Sequence, residues 1–253
     1  MIPDQVMAAA RAHRYPLLFA TVSGAHLYGF PSSNSDWVLR GVHILPAEQV
    51  FGLTELEETI EVSSQDEVEL DLVTHDVRKF FKLLLRPNGY VLEQLLSPIV
   101  VLTTPEHSEL KQLAPACVTK HHFHHYLGFA ENQWKLFQRD EHPRVKPLLY
   151  TFRVLLTGIH LLRSGEVEAN LCLLNDIYRL PFIPELIARK LEGDEQQTMQ
   201  PDEIDHYEHE FNVLRTRLIE EAAITSLPES PTAQSALKDV LVRVRLASVH
   251  RHS

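Results

Sequence analysis

The stretch Ser23–Pro46, SGAHLYGFPSSNSDWVLRGVHILP, decides how this chain is to be read. It begins where an apolar, partly β-branched run, LLFATVS over 17–23, stops at Gly24, so it opens on the end of a buried strand. A short helical or loop piece, 25–30, leads into the turn cluster Pro31-Ser32-Ser33-Asn34-Ser35. A second strand then runs over 36–45, DWVLRGVHIL, and Pro46 ends it. A strand that ends in Ser-Gly offers the backbone amides of the following turn, which can cradle phosphates with no side chain in the way. Asp36, opening the second strand, puts a carboxylate near that turn.

Working outward, ETIEVS over 58–63 and VELDLVTH over 68–75 read as two further strands around the polar turn 63–67. Asp76 caps a helix over 76–85, with Phe80, Phe81, Leu84 and Leu85 on one side. Beyond Gly89 the apolar period becomes helical, in segments near 90–97, 106–113, 120–138, 146–164, 170–178, 183–192, 202–223 and 232–247. Pro and Gly separate them, and 192–200 reads as a loop. The fold class is therefore α+β. An α/β domain over 1–110 holds a mixed sheet with helices, and a mostly helical domain covers 111–253. The boundary falls within 98–120.

Nucleotidyl transfer needs a held triphosphate and divalent metals on carboxylates to offset the charge developing on its oxygens. Residues two apart in a strand share a face, so an Asp-x-Asp pair aims both acids at one metal site, and a third acid from a neighbouring strand completes it. Ser23-Gly24, Asp36 and Asp71, the last flanked by Leu70 and Leu72, supply most of that set.

These residues carry a resemblance. The stretch 23–46 is similar to the signature of a bacterial and phage nucleotidyltransferase family of the DNA polymerase beta superfamily, some of whose members are RNA-repair or RNA-ligase associated. The match runs through Gly24, Tyr28-Gly29, Ser35-Asp36 and Arg40-Gly41-Val42. ELDLVTHDVRKFFKLLLRPNGYVLEQLLSP over 69–98 resembles the family's third-acid strand and following helices, and KPLLYTFRVLLTGIHLLRSGEVEANL over 146–171 resembles its helical region. The likeness covers about residues 17–180.

The resemblance implies a polymerase-beta-like sheet, Mg2+ or Mn2+ held by Asp36 and Asp71, and NTP phosphates held at Ser23 and Gly24. It also implies transfer of a nucleoside monophosphate to an acceptor hydroxyl such as an RNA 3′ end. Lys146 and Arg153, at helical spacing with Tyr150, take the place of the basic side chains that such helices turn toward a triphosphate; a solvated or paired face is the alternative. Two departures stand out. Ala25 occupies a position where serine is common, and Val38 stands where the family pattern has its second Asp. Valine cannot ligate a metal. Position 38 therefore leaves two readings open: an enzyme weakened at one catalytic carboxylate, or a nucleotide- or RNA-binding relative that acts as a regulator or partner.

Other residues carry two readings each. Arg40 shares a strand face with Val38 and can reach a phosphate, fix Asp36, or form a structural ion pair. His121-His122-Phe123-His124-His125 holds two histidines four apart, a metal spacing, but surface or partner contacts fit better beside Phe123 and Tyr126. His26 suits a core hydrogen bond or a phosphate, and His75 suits packing at the sheet end. There is no nucleophile elbow, Walker lysine loop or dinucleotide fingerprint.

Composition bounds the rest. Against 34 Asp and Glu the chain has 24 Lys and Arg, a net charge of −10, so any polyanion must meet a local basic patch. The basic stretch 238–245 is one, with a solvated helix face as its simpler reading. No uninterrupted apolar run approaches the roughly 18 residues of a membrane span, and the first twenty residues lack a secretory pattern. Cys117 and Cys172 lie in apolar helical surroundings and read as buried free thiols of a cytoplasmic protein.

Overall fold

The computed structural model describes residues 2–53, 55–65, 68–140, 143–192 and 199–250. The expected loop at 192–200 falls mostly outside them, as does part of the turn at 63–67. In chain order the elements are α1 (Asp4–Arg11), β1 (Leu17–Ser23), α2 (Gly24–Tyr28), β2 (Trp37–His43), α3 (Ala47–Val50), β3 (Thr59–Gln65), β4 (Glu69–Asp76), α4 (Val77–Leu84), α5 (Gly89–Leu96), β5 (Val100–Leu102) and α6 (Pro105–Leu113). A 3-10 turn (Ala114–Cys117) follows, then α7 (His122–Arg139), α8 (Val145–Ser164), α9 (Leu171–Tyr178), α10 (Ile183–Leu191), α11 (Pro201–Ile224) and α12 (Gln234–His250).

Two compact units result: Met1–Leu27 with Asp36–Cys117 and Ser230–Ser253, and Tyr28–Ser35 with Val118–Glu229. The division is not a single cut near residue 110, because α12 returns to the first unit. It is tied there by Arg245, which donates to both carboxylate oxygens of Asp76 at 2.6 Å and to the Leu45 carbonyl at 2.8 Å.

The first unit is a five-stranded mixed sheet in the order β3-β4-β2-β1-β5. β2 and β4 run parallel; the other neighbours are antiparallel. Alternation along the strands makes two faces. Ala20, Val22, Leu39, Leu70 and Leu72 pack with Val6 and Ala10 of α1 on one of them. The other face carries Phe19, Thr21 and Ser23 of β1, and Phe19 meets Phe80 of α4 and His107 of α6. α4 forms as expected: Asp76 caps it, accepting from the Arg78 amide, and Val77, Phe80, Phe81 and Leu84 are buried. α5 is held on the same face because Thr21 donates to the Gln94 carbonyl at 2.7 Å.

The second unit is helical. α8 is its core: Leu148, Leu149, Phe152, Leu155, Leu156 and Ile159 are fully buried. Its 20 residues and a mean hydropathy of 1.2 meet the length and composition of a membrane span, although Arg153 interrupts the apolar run and 78% of that window is buried. Burial in a protein core accounts for its hydrophobicity. The thiol expectation also needs a correction. Both cysteines are free, but only Cys117 is buried; Cys172 is exposed on α9, because the apolar residues around it face both ways.

Candidate functional site

The strand register decides which side chains meet. Ser23 lies opposite Val38 across β1 and β2, and Val38 lies opposite Asp71 across β2 and β4. Directly opposed residues share a face, so Ser23, Val38 and Asp71 form one row, with Val38 in its centre. Asp36 precedes β2 by one residue and is exposed. Gly24 turns the chain away from β1 with φ +65°, and a Cβ there would lie 3.0 Å from Val38 Cγ2. Only glycine meets both demands comfortably.

Arg40 sits on the same face, two residues past Val38. Its NH2 donates to Asp71 Oδ2 at 2.8 Å, its NH1 to the carbonyls of Leu39 and Asp71 at 2.7 and 3.0 Å, and its Nε to the Tyr90 hydroxyl at 3.3 Å. Burial works against its charge, but Tyr90 and the Asp71 carboxylate outweigh it, so Arg40 holds its proton more tightly than a free guanidinium. With four of its five N–H groups engaged, Arg40 acts as a clasp on Asp71 rather than a free phosphate ligand. Tyr90, which no strand pattern marks, closes that clasp from α5. Its cue in the sequence is the Asn88 cap, which starts α5 close enough to put Tyr90 over the sheet.

The row contains an unmet polar group. The Ser23 hydroxyl is buried with no hydrogen-bond partner among the described residues. Such an atom points to a missing partner. Its cross-strand neighbour is Val38, which has nothing to offer it. An acid at 38 would supply an acceptor on one side and a neighbour for Asp71 on the other.

The donor set therefore does not fit a bridged pair of divalent ions. Of the two carboxylates, Asp71 is committed to Arg40 and valine fills the position between the strands. Among the described residues no group of three His, Cys, Asp or Glu side chains is placed to hold a metal. What the row leaves is the Ser23-Gly24 turn, where α2 begins.

Lys146 and Arg153 belong to the second unit, two helical turns apart on α8. Lys146 is exposed in the first turn. Arg153 is only 2% exposed, and its guanidinium lies 3.8 Å from the centre of the Tyr28 ring, with Tyr150 edge-on to the same ring. Of the histidines, His26 stacks on Trp37 at 4.0 Å, His75 bonds Thr59, and His121 pairs with Glu229 at 3.0 Å. His122 is buried, bonded to Thr119 at the start of α7.

The model of the RNA repair pathway DNA polymerase beta family matches residues 1–243. The uncharacterized protein MJ0002 of Methanocaldococcus jannaschii is 30% identical over 233 residues, 88% of this chain and 91% of its own length. The uncharacterized protein YcgL of Bacillus subtilis is 26% identical over 204 residues, 77% of each chain. A solved nucleotidyltransferase-like protein from Exiguobacterium sibiricum 255-15 aligns with 87% of this chain and 73% of its own, at 12% identity and a TM-score of 0.33, too distant a likeness to carry weight. On the extent of the family match and of the archaeal relative, the chain belongs to the RNA repair pathway DNA polymerase beta family.

Proposed function

We propose that this chain binds a nucleoside triphosphate at the Ser23-Gly24 edge and, as it stands, transfers nucleotidyl groups poorly, acting as a nucleotide- or RNA-binding member of its family. One observation carries this reading: Val38 occupies the centre of the Ser23–Val38–Asp71 row, where metal-dependent transfer needs a carboxylate. The amides of the Gly24 turn remain to hold phosphate oxygens, while Arg40 stays paired with Asp71. Binding can survive such a change because it draws on backbone donors. Transfer depends on charge stabilisation, the term that the substitution removes.

The second reading is active transfer with Mg2+ or Mn2+, an NTP as donor and an RNA 3′ hydroxyl as acceptor. Family membership and the retained Asp36 and Asp71 favour it. If an ion is bound there, those two carboxylates would hold it, and its contribution would be to offset charge on the phosphates. A titration with NTP, paired with a radiolabel transfer assay on RNA, protein and small hydroxyl acceptors, separates the readings. Binding without measurable transfer supports the first. Transfer that requires a divalent ion establishes the second, and absence of NTP binding overturns both.

A further inference from the structure

We infer that the outer face of α4, with the turn that follows it, is a docking track for the phosphate backbone of single-stranded RNA, leading to the Asp71 end of the sheet. This rests on the reading above of a nucleotide site at that end, and it names the polymer the site serves. α4 is amphipathic: Val77, Phe80, Phe81 and Leu84 are buried, while Arg78 and Lys82, one turn apart, are exposed, and exposed Arg86 follows in the next turn. One turn is about 5.4 Å, on the scale of neighbouring phosphates along an extended strand.

Two observations support this reading. The first is its lack of partners. On a chain of net charge −10, Arg14, Arg40, Arg243 and Arg245 of the same unit are each ion-paired to a carboxylate. Arg78, Lys82 and Arg86 have no carboxylate partner among the described residues. Local positive charge on an acidic protein is what selective polyanion docking needs, because the remaining surface repels the ligand.

The second is direction. α4 starts beside Asp76, which lies opposite His43 at the far end of the sheet, and its Phe80 packs on Phe19. After the turn that holds Arg86, Tyr90 of α5 reaches Arg40, the residue clasping Asp71. The basic residues thus follow the chain from the far end toward the Ser23–Val38–Asp71 row, where an acceptor end would be needed.

The test compares two double variants with the same change in charge, Arg78→Glu/Lys82→Glu on α4 and Lys135→Glu/Arg139→Glu on the exposed face of α7. Binding of a fluorescein-labelled RNA dodecamer to the full chain is followed by anisotropy at low and physiological salt. The expected result is a loss of about tenfold or more for the α4 pair and a salt slope shallower by about 1 to 2, since each single-strand phosphate contact contributes about 0.7. The α7 pair should move little. Arg78→Gln/Lys82→Gln should weaken binding in the same direction, which guards against a folding artefact. Equal effects from the two Glu pairs, no effect from the α4 pair, or wild-type binding to anionic vesicles but not RNA would overturn the track. A parallel NTP titration keeps the two readings apart: normal NTP affinity without RNA binding sinks only the track, and RNA binding without NTP affinity sinks only the nucleotide site.

Discussion

At position 38 one side chain determines what its neighbours can do. Val38 faces Gly24, lies opposite Ser23 and Asp71, and leaves the Ser23 hydroxyl buried without a partner among the described residues. Val38→Asp would give that hydroxyl an acceptor and set a second carboxylate beside Asp71. In the metal-free protein the two acids repel, which should raise one carboxyl pKa, although Arg40 and Ser23 would absorb part of the charge. A divalent ion would reverse the repulsion by binding both. The substitution should therefore strengthen Mg2+ or Mn2+ binding and raise transfer by orders of magnitude, and Asp36→Ala or Asp71→Ala in the same background should remove the gain. Calorimetric metal titration and the transfer assay on one preparation test this. If both signals stay at the starting level, carboxylate loss at 38 is not what limits the chain.

At the scale of elements, the stability of the first unit depends on a residue outside the candidate site. Asp76 is 1% exposed; it caps α4, accepts from the Leu45 amide and holds Arg245 of α12 in a two-pronged pair. Removing it leaves a largely buried guanidinium with only the Leu45 carbonyl and a helix start without its cap. Asp76→Ala should cost about 3–5 kcal/mol in a denaturant melt; a loss below about 1 kcal/mol would mean that α12 is not held by this pair. The two basic residues of α8 should also part company. Arg153→Ala empties a buried place on the Tyr28 ring and should lower the melting temperature, through about 2 kcal/mol or more. Lys146→Ala should leave the melt unchanged and weaken NTP binding if that side chain meets phosphate. β1, β2, β4 and α4 were legible because each carries a period or an apolar run bounded by Gly, Pro or a capping Asp. β5 was not, since three residues between two prolines show no period, nor was α1, whose short apolar pieces are broken by Asp4 and Arg11. Register was also hidden: no local pattern tells that Ser23 opposes Val38, that Tyr90 reaches Arg40, or that Arg245 returns across 169 positions to Asp76. Sequence leaves three roles open to Arg40, and only the folded sheet singles out the clasp on Asp71.

Across the whole molecule, histidine burial sets the response to acid. His43 and His75 in the first unit and His125 in the second are each held down to about 4. Burial is the main cause in all three. The charges of Lys79 and Arg40 add to it at His75 and those of His122 and Arg153 at His125, while at His43 the Asp76 carboxylate opposes it without prevailing. His107 and His122 are lowered too, again chiefly by burial. A base whose folded pKa lies below its unfolded value near 6.5 favours folding most at pH above that value. As pH falls through 6.5 the unfolded chain takes up protons that the folded chain refuses, and the stability is lost progressively until about pH 4, where the folded histidines also titrate. Near pH 5 the three most shifted residues alone imply uptake of roughly two to three protons on unfolding. Melting temperature should therefore be level from pH 8 to 7 and fall steeply between 6.5 and 4, with proton uptake visible when unfolding enthalpies are compared in buffers of different ionisation heat. The decline should involve both units, because each contains buried neutral histidines. Replacing His43 by Gln removes one titrating site and should flatten the slope even if it lowers stability at pH 7. A melting temperature that stays level down to pH 5 would mean that these imidazoles reach water or a counter-charge in the folded chain.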